Sequence, residues 1–268
     1  MNIFNLPIYY INFTKNVKLE NEFKTLGFNN INHFKSIDGR KLKPLELLHK
    51  KLITIRTYRD LINTRTQHEG IPSLGAVGCT MSHNELWKLC IEKNYPYIII
   101  CENDVKLNKQ ILKKENLISI NNILKKDNSI FISTNINKYI NKIQFHGTHF
   151  YIISKGACKE LVKDTFPIDI QTDYYMAHKH SIKKINIEGL QLFRQKIHKS
   201  DIQDVCVKCI TPDKNEMYYF ILSLLLIMSL PNIYLRFSRR IILLILLFIL
   251  FSFIFSSNLH VKFLPLFS

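Results

Sequence analysis

Glu102 and Asp104 stand one residue apart in "YPYIIICENDVKL" (95–107), directly after the apolar run Tyr97, Ile98, Ile99, Ile100. Side chains at i and i+2 on an extended strand end point the same way, so the two carboxylates share one side. Unpaired, they would repel; a hard divalent cation between them, Mn2+ or Mg2+, removes that cost. An ion held by one or two acids keeps water and binds substrate phosphates, which suits a nucleotide diphosphate leaving group. The plainer alternative is a polar strand end with solvated acids, or an N-cap for a following helix. Spacing alone does not separate the two.

The elements around the acids are readable. In "GCTMSHNELWKLCIEKNYPYIIICENDV", Ser82 and Glu85 form an S-x-x-E capping box, which predicts a helix starting at His83. Asn94-Tyr95-Pro96 ends that helix, and a strand over 97–101 follows. The acids then lie past the carboxyl end of a strand, where open α/β sheets bind ligands. Earlier, "IYYINF" (8–13) reads as a buried strand. Val17, Leu19, Phe23 and Leu26 follow at helical spacing up to Gly27, and "NHFKSIDGRKL" reads as a second strand ending in a turn. Strand, helix, strand opens an α/β domain with parallel neighbours. Residues 44–74 read as a less regular insert. Further strands are expected at 129–134, 145–154 and within "KKINIEGLQLFRQ", with a helix in "KGACKELVKD".

Composition narrows the classes. Of 268 residues, 47% are hydrophobic and 12% aromatic, which fits a packed protein and excludes disorder. The net charge of +16 suits a Lys-rich solvated surface or attraction to an anionic membrane. No RNP-like, zinc-finger or helix-turn-helix pattern supports nucleic-acid binding. Cysteines fall at 79, 90, 101, 158, 206 and 209. Cys79, Cys90 and Cys101 lie in apolar or helical patterns and are expected to pack as small hydrophobes. "CVKC" (206–209) is a lone C-x-x-C without further ligands and is given no special role. Met1 to Ile11 lacks the features of a secretory signal, so a reduced, cytosolic setting is expected.

After Glu216 the composition changes. Residues 217–268 contain no Asp or Glu, and two apolar blocks, 217–235 and 241–255, flank "RFSRR". The second block spans only about 22 Å as a helix, short of a ~30 Å hydrocarbon core without its flanks. The first carries Pro231-Asn232 near its end. Helices apolar all round need a large protein or a membrane around them. The expectation is a membrane-associated tail over 217–257 behind a domain over 1–210. Arg236, Arg239 and Arg240 should stay cytoplasmic, and with them the catalytic domain if only 241–255 inserts deeply.

The order "YYINF…SIDGRKL…GAVGCTMSHNELW…YPYIIICENDV" resembles glycosyltransferase family 25, the lipooligosaccharide and collagen galactosyltransferase family. The resemblance continues through "GTHFYIISKGACKELV", "PIDIQTDYYM" and, more weakly, "LFRQ…HKSDI", covering about residues 1–205. Asn103, Ala76 and Lys18 depart from its pattern, at positions where Asp, Glu and Arg are usual. The resemblance implies a GT-A-like nucleotide-sugar-binding domain, a mixed sheet flanked by helices. It implies metal-dependent, inverting transfer from a UDP-sugar, galactose first, to a lipooligosaccharide, other glycan or glycolipid acceptor. Glu102 and Asp104 would carry metal and nucleotide, with His198 completing the metal shell. Asp38, Arg40, Ser82 and His83 would lie near the donor. The alternative for Ser82 is a helix cap alone, and for His83 simple packing at the helix start. A membrane-anchored, non-catalytic glycan- or nucleotide-binding protein of the same fold is the alternative function.

An inverting transfer needs a base for the acceptor hydroxyl. "PIDIQTDYYM" offers Asp169 and Asp173, four apart and on one face if the segment is helical. Asp169 precedes the helical stretch, where Asp most often caps backbone N–H groups, and is read as structural. Asp173, one turn further in and matching the family's D-x-x-M/L segment, is the expected base; a solvated helix Asp is its alternative.

Overall fold

The computed structural model describes residues 2–63, 69–139 and 142–195. The chain divides into two units, Met1–Cys209 and Ile210–Ser268, and every described element belongs to the first. In chain order it runs β1 (Ile8–Asn12), α1 (Val17–Thr25), β2 (Ile31–Lys35), α2 (Pro44–His49), α3 (Ile55–Ile62) and α4 (Leu74–Glu92). Next come β3 (Tyr97–Glu102), β4 (Val105–Lys106), α5 (Lys114–Leu124), β5 (Ser129–Ile132), β6 (Asn137–Tyr139) and β7 (Lys142–Gln144). β8 (Phe150–Ser154), α6 (Lys155–Lys163), α7 (Thr172–Ser181), β9 (Asn186–Gly189) and β10 (Arg194–Gln195) complete it.

Six strands form one mixed sheet in the order β2-β1-β3-β8-β5-β9. β1 pairs in parallel with β2 and β3, and β5 with β9, while β8 runs antiparallel to both β3 and β5. The strand–helix–strand opening expected from periodicity is present.

The apolar run of β3 is continuous because both faces of the strand are covered. Ile99 and Cys101 join Tyr10, Phe23, Phe131 and Ile152 in the layer beneath α1 and α5. Ile98 and Ile100 join Trp87, Tyr151, Ile153 and Leu161 in the layer beneath α4 and α6. Ile98, Ile99 and Ile100 have no exposed surface, and burying each contributes roughly 1.5–3 kcal/mol. A third cluster, with Leu47, Ile53, Val77 and Ile168, seats the 44–74 insert.

Some boundaries differ from the sequence expectation: the strand expected over 145–154 begins only at Phe150, the one over 129–134 ends at Ile132, and the largest change is in the helix before β3. The helix before β3 starts at Leu74, with Ser73 as its N-cap accepting from Ala76 N, so Ser82 lies mid-helix and is no cap. Glu85 accepts instead from Lys88 Nζ at 2.9 Å. Close packing against the preceding loop accounts for glycine at 78 inside this helix and at 39 opposite its start. A Cβ on Gly78 would lie 2.5 Å from Ile37 O, and one on Gly39 would lie 2.1 Å from Leu74 O. Backbone meets backbone there, and that packing outweighs the weak helix propensity of glycine.

Among the described residues, no helix is long and apolar enough to cross a membrane. The apolar blocks after Glu216 lie outside the described residues, as do His198, Cys206 and Cys209.

Candidate active site

The carboxyl ends of β1, β2 and β3 open on one edge of the sheet, and antiparallel β8 begins there. Glu102 is the last residue of β3, and its N–H donates to His149 O at 3.0 Å, extending the β3–β8 ladder by one pair. Thr148 Oγ1 donates to Glu102 Oε1 at 2.5 Å. From α4, the fully buried His83 brings Nε2 to 3.5 Å from the same oxygen.

His83 is held by a relay. Trp87 Nε1 donates to Tyr151 Oη at 2.9 Å, and that hydroxyl lies 2.8 Å from His83 Nδ1. With the Tyr151 proton directed to Nδ1, the imidazole proton sits on Nε2, facing Glu102 and Thr148 Oγ1 (3.4 Å). Burial works against the Glu102 charge, but His83 and the Thr148 hydroxyl outweigh it, and the carboxyl titrates below its ordinary value.

Asp104 behaves oppositely. Burial first, and then the Glu102 charge, raise its pKa against the hydrogen bond from Gln195 Nε2 at 2.6 Å. Gln195 arrives through β10, which pairs with β4 immediately after Asp104. Asp104 Oδ1 is buried and has no hydrogen-bond partner among the described residues; the same holds for both ring nitrogens of His149. Two carboxylates two residues apart, one with an orphaned buried oxygen, offer the hard oxygen donors that a divalent cation takes.

Asn103, between the acids, takes no part in this. Its Oδ1 accepts from Asn16 Nδ2 at 2.6 Å, and Asn16 is the N-cap of α1. The departure from the family pattern therefore falls on a residue that braces α1.

Asp173 lies in the first turn of α7, not one turn in as expected, because the helix begins at Thr172 with Gln171 as its cap. Its Oδ2 accepts from Gly147 N at 3.2 Å and its Oδ1 from Tyr174 N at 2.9 Å. Burial still raises its pKa, over the opposing effect of those two N–H groups. Gly147, at φ +81°, turns the chain so that the next two residues reach Glu102.

Asp169 precedes α7 and does not share a helical face with Asp173. Nor does it cap. It accepts from Thr54 Oγ1 at 2.5 Å and from Arg56 Nε at 3.0 Å, pinning α3 beside the Ile53–Ile168 bridge. Its role is to hold the insert.

Asp38 caps the turn Gly39–Lys41 and is forked by Arg40, with Nε 2.8 Å from Oδ1 and Nη2 3.0 Å from Oδ2. Arg40 pulls the Asp38 carboxyl below its ordinary value, and its guanidinium also lies over Phe13. Ser82 fixes this loop from behind. Its Oγ accepts from Ile37 N at 2.9 Å and donates to Gly78 O at 2.7 Å.

Cys90 and Cys101 are buried as expected, whereas half-buried Cys79 faces the site. Its Sγ, a His83 nitrogen and a Glu102 oxygen lie within 4.8 Å of one another. Burial, then Glu102, Asp173 and Asp104, push the thiol pKa well up, so it stays protonated at neutral pH. Thr148, His149 and Gln195 have no chemical signature in the sequence. The only local signal was their place in matched segments, "GTHFYIIS" and "LFRQ".

The model of "Glycosyltransferase family 25 (LPS biosynthesis protein)" matches residues 5–176. A "Glycosyltransferase 25 family member" of Drosophila melanogaster is 27% identical over 89 residues, 33% of this chain and 14% of that protein. One of Anopheles gambiae is 24% identical over 103 residues, 37% of this chain and 16% of the relative. The matched stretches thus span under a fifth of these curated relatives. The family match, however, runs from before β1 into α7 and takes in Asp38, Glu102, Asp104 and Asp173. The chain belongs to glycosyltransferase family 25.

Proposed function

We propose that this chain transfers a sugar, galactose first among candidates, from a UDP-sugar to a glycan or glycolipid acceptor with inversion. One observation carries the reading: the continuous segment Gly147–Thr148–His149 is bonded both to Asp173 and to Glu102. A carboxylate able to take a proton is thereby tied to a carboxylate pair able to hold a charged donor.

Glu102 and Asp104 would hold the cation, Mn2+ or Mg2+, with His198 a further candidate ligand. When bound, it supplies charge neutralisation for the departing diphosphate. Asp38 and Arg40 lie at the carboxyl end of β2 and would flank the nucleotide, held in place by Ser82. His83 orients Glu102 from behind rather than meeting the donor.

Asp173, fixed by two N–H donors, would accept the acceptor hydroxyl's proton. The hydroxyl oxygen bonds to the anomeric carbon as the carbon–phosphate-oxygen bond breaks, and UDP leaves with that electron pair. A pKa raised above the ordinary carboxylate value by burial makes Asp173, once ionised, a stronger base. The acid-free apolar blocks 217–235 and 241–255 support attachment to a membrane, with the catalytic unit on the cytoplasmic side.

Release of UDP from a panel of UDP-sugars, with and without Mn2+, tests the reading. Turnover that requires Mn2+, disappears in EDTA and falls in Asp173→Asn is the expected result. Donor binding without turnover of any panel member would favour a non-catalytic binding protein.

A further inference from the structure

We propose that Cys79, His83 and Glu102 form a binding site for Zn2+, and that an ion there inhibits the proposed transfer by claiming Glu102. The ligand set stands by itself; only the inhibition drawn from it rests on the metal-dependent reading above.

Helical spacing builds two of the three donors. Cys79 and His83 lie one turn apart on α4, so their side chains share a face. Glu102, at the end of β3, closes the triangle. The Cys79 sulfur, a His83 ring nitrogen and a Glu102 oxygen lie within 4.8 Å of one another, and His83 Nε2 stands 3.5 Å from Glu102 Oε1. Among the described residues, no other three His, Cys, Asp or Glu side chains bring their ligand atoms so close together. Zn2+ bonds of about 2.0–2.3 Å at tetrahedral angles separate ligand atoms by roughly 3.4–3.6 Å. The imidazole–carboxylate edge already has that length, and a small rotation of the Cys79 side chain brings in the sulfur.

The surroundings suit a ligated imidazole, which donates its other ring N–H to a fixed acceptor. Tyr151 Oη lies 2.8 Å from His83 Nδ1 and, with two lone pairs, accepts from that nitrogen as well as from Trp87 Nε1. Ion binding therefore selects the tautomer with its proton on Nδ1, the reverse of the ion-free site. The Thr148 hydroxyl, 2.5 Å from Glu102 Oε1, steadies the carboxylate. The Glu102 side chain keeps 17% of its surface and Cys79 is half-buried, which leaves a way in and a fourth position for water.

Donor type sets the ion. A thiolate beside an imidazole favours Zn2+ over Mn2+ and Mg2+, whose preference is for oxygen. The thiol, protonated in the ion-free protein, gives its proton to solvent as the sulfur–zinc bond forms. The captured Glu102 oxygen is then lost to the cation that Glu102 and Asp104 would share.

The test uses the full chain in detergent, carrying Cys206→Ser and Cys209→Ser to remove the C-x-x-C thiols, with Co2+ and Zn2+ as probes. Co2+ should give a thiolate-to-cobalt charge-transfer band in the near ultraviolet that Zn2+ abolishes by displacement. The band should be absent from Cys79→Ser and Cys79→Ala, both with an unchanged circular dichroism spectrum. Zn2+ affinity should fall about a hundredfold or more in Cys79→Ser, at least what losing a partner behind a ligand costs. Zn2+ should inhibit Mn2+-driven transfer in competition with Mn2+. The half-inhibiting concentration should rise as far in Cys79→Ser, each chain read against its own zinc-free rate. No band in the starting chain, or a band unchanged in both Cys79 variants, overturns the site. A Cys79-dependent band with transfer indifferent to Zn2+ upholds the site and overturns the inhibition. The same band in a chain that turns over no UDP-sugar upholds the site and sinks the transfer reading alone.

Discussion

The N–H of Gly147 donates to Asp173 Oδ2 at 3.2 Å, which fixes the candidate base to the same short segment that reaches Glu102. Acid pair and base are therefore positioned by one stretch of backbone, not by independent loops. Substitutions at each end should then differ in what they spare.

Glu102→Ala and Asp104→Ala are expected to abolish transfer, each by about a hundredfold or more, while leaving the fold intact. Asn103→Asp should keep or raise activity, since an aspartate oxygen can accept from Asn16 as Asn103 Oδ1 does. Steady-state transfer assays beside a circular dichroism melt check all three. Full activity of Asp104→Ala, or of the wild type in EDTA, would remove the metal role.

Asp173→Asn should cut kcat by roughly a hundredfold or more with donor affinity retained. Titration calorimetry with UDP against turnover separates the two effects. Near-normal turnover there, with a folded but dead Asp169→Asn, would reverse the assignment.

The same residue sets a pH signature. Burial holds the Asp173 carboxyl above its ordinary 3.8, so between the unfolded and folded pKa the native state binds more protons than the unfolded one. Stability from this group therefore falls as pH rises through that window. Activity moves the other way, because the base works only when ionised. The acid limb of kcat/KM should lie above 3.8 and be absent from the residual activity of Asp173→Asn.

Asp169→Asn should lower stability by about 1–2 kcal/mol, through loss of the partly exposed Arg56 pair, with turnover per folded molecule nearly unchanged. Denaturant titration reads the first quantity and an active-fraction assay the second.

Gly78→Ala should cost about 1–3 kcal/mol, because its Cβ would meet Ile37 O at 2.5 Å. The displaced loop carries Asp38 and Arg40, so donor KM should rise while Mn2+ affinity stays put. Unchanged stability would mean that the helix and loop yield freely.

Much of the fold was legible because periodicity is local. The β3 run and the helix stopped at Gly27 (φ +91°) stand where the sequence places them, while β3 runs one residue further, so that Glu102 ends the strand and only Asp104 lies past it. The start of α4 was not legible. "SHNE" has the form of a capping box, whereas the real cap, Ser73, precedes a turn whose Gly78 has a reason only against Ile37. Asp169 looked like a cap for a similar reason, but its partner Arg56 lies 113 positions earlier in sequence. Of the site, Glu102, Asp104 and Asp173 carried motif signals. His149 and Gln195 did not, since a histidine ahead of a strand or a glutamine in a two-residue strand says nothing until the sheet pairs.

The pairing of β3 with β8 also acts as a phase lock. Tyr97 through Cys101 meet Ser154 through Phe150, and alternate residues belong to two different apolar layers. A slip of one residue would bring Phe150 against Glu102 and drive His149 into the layer occupied by Phe131 and Phe193. Either misplacement penalises the slipped register. The greasy alternation of two central strands thus proofreads a polar arrangement beyond their ends, and substitutions far down β8 should loosen the chemistry without touching any group that performs it.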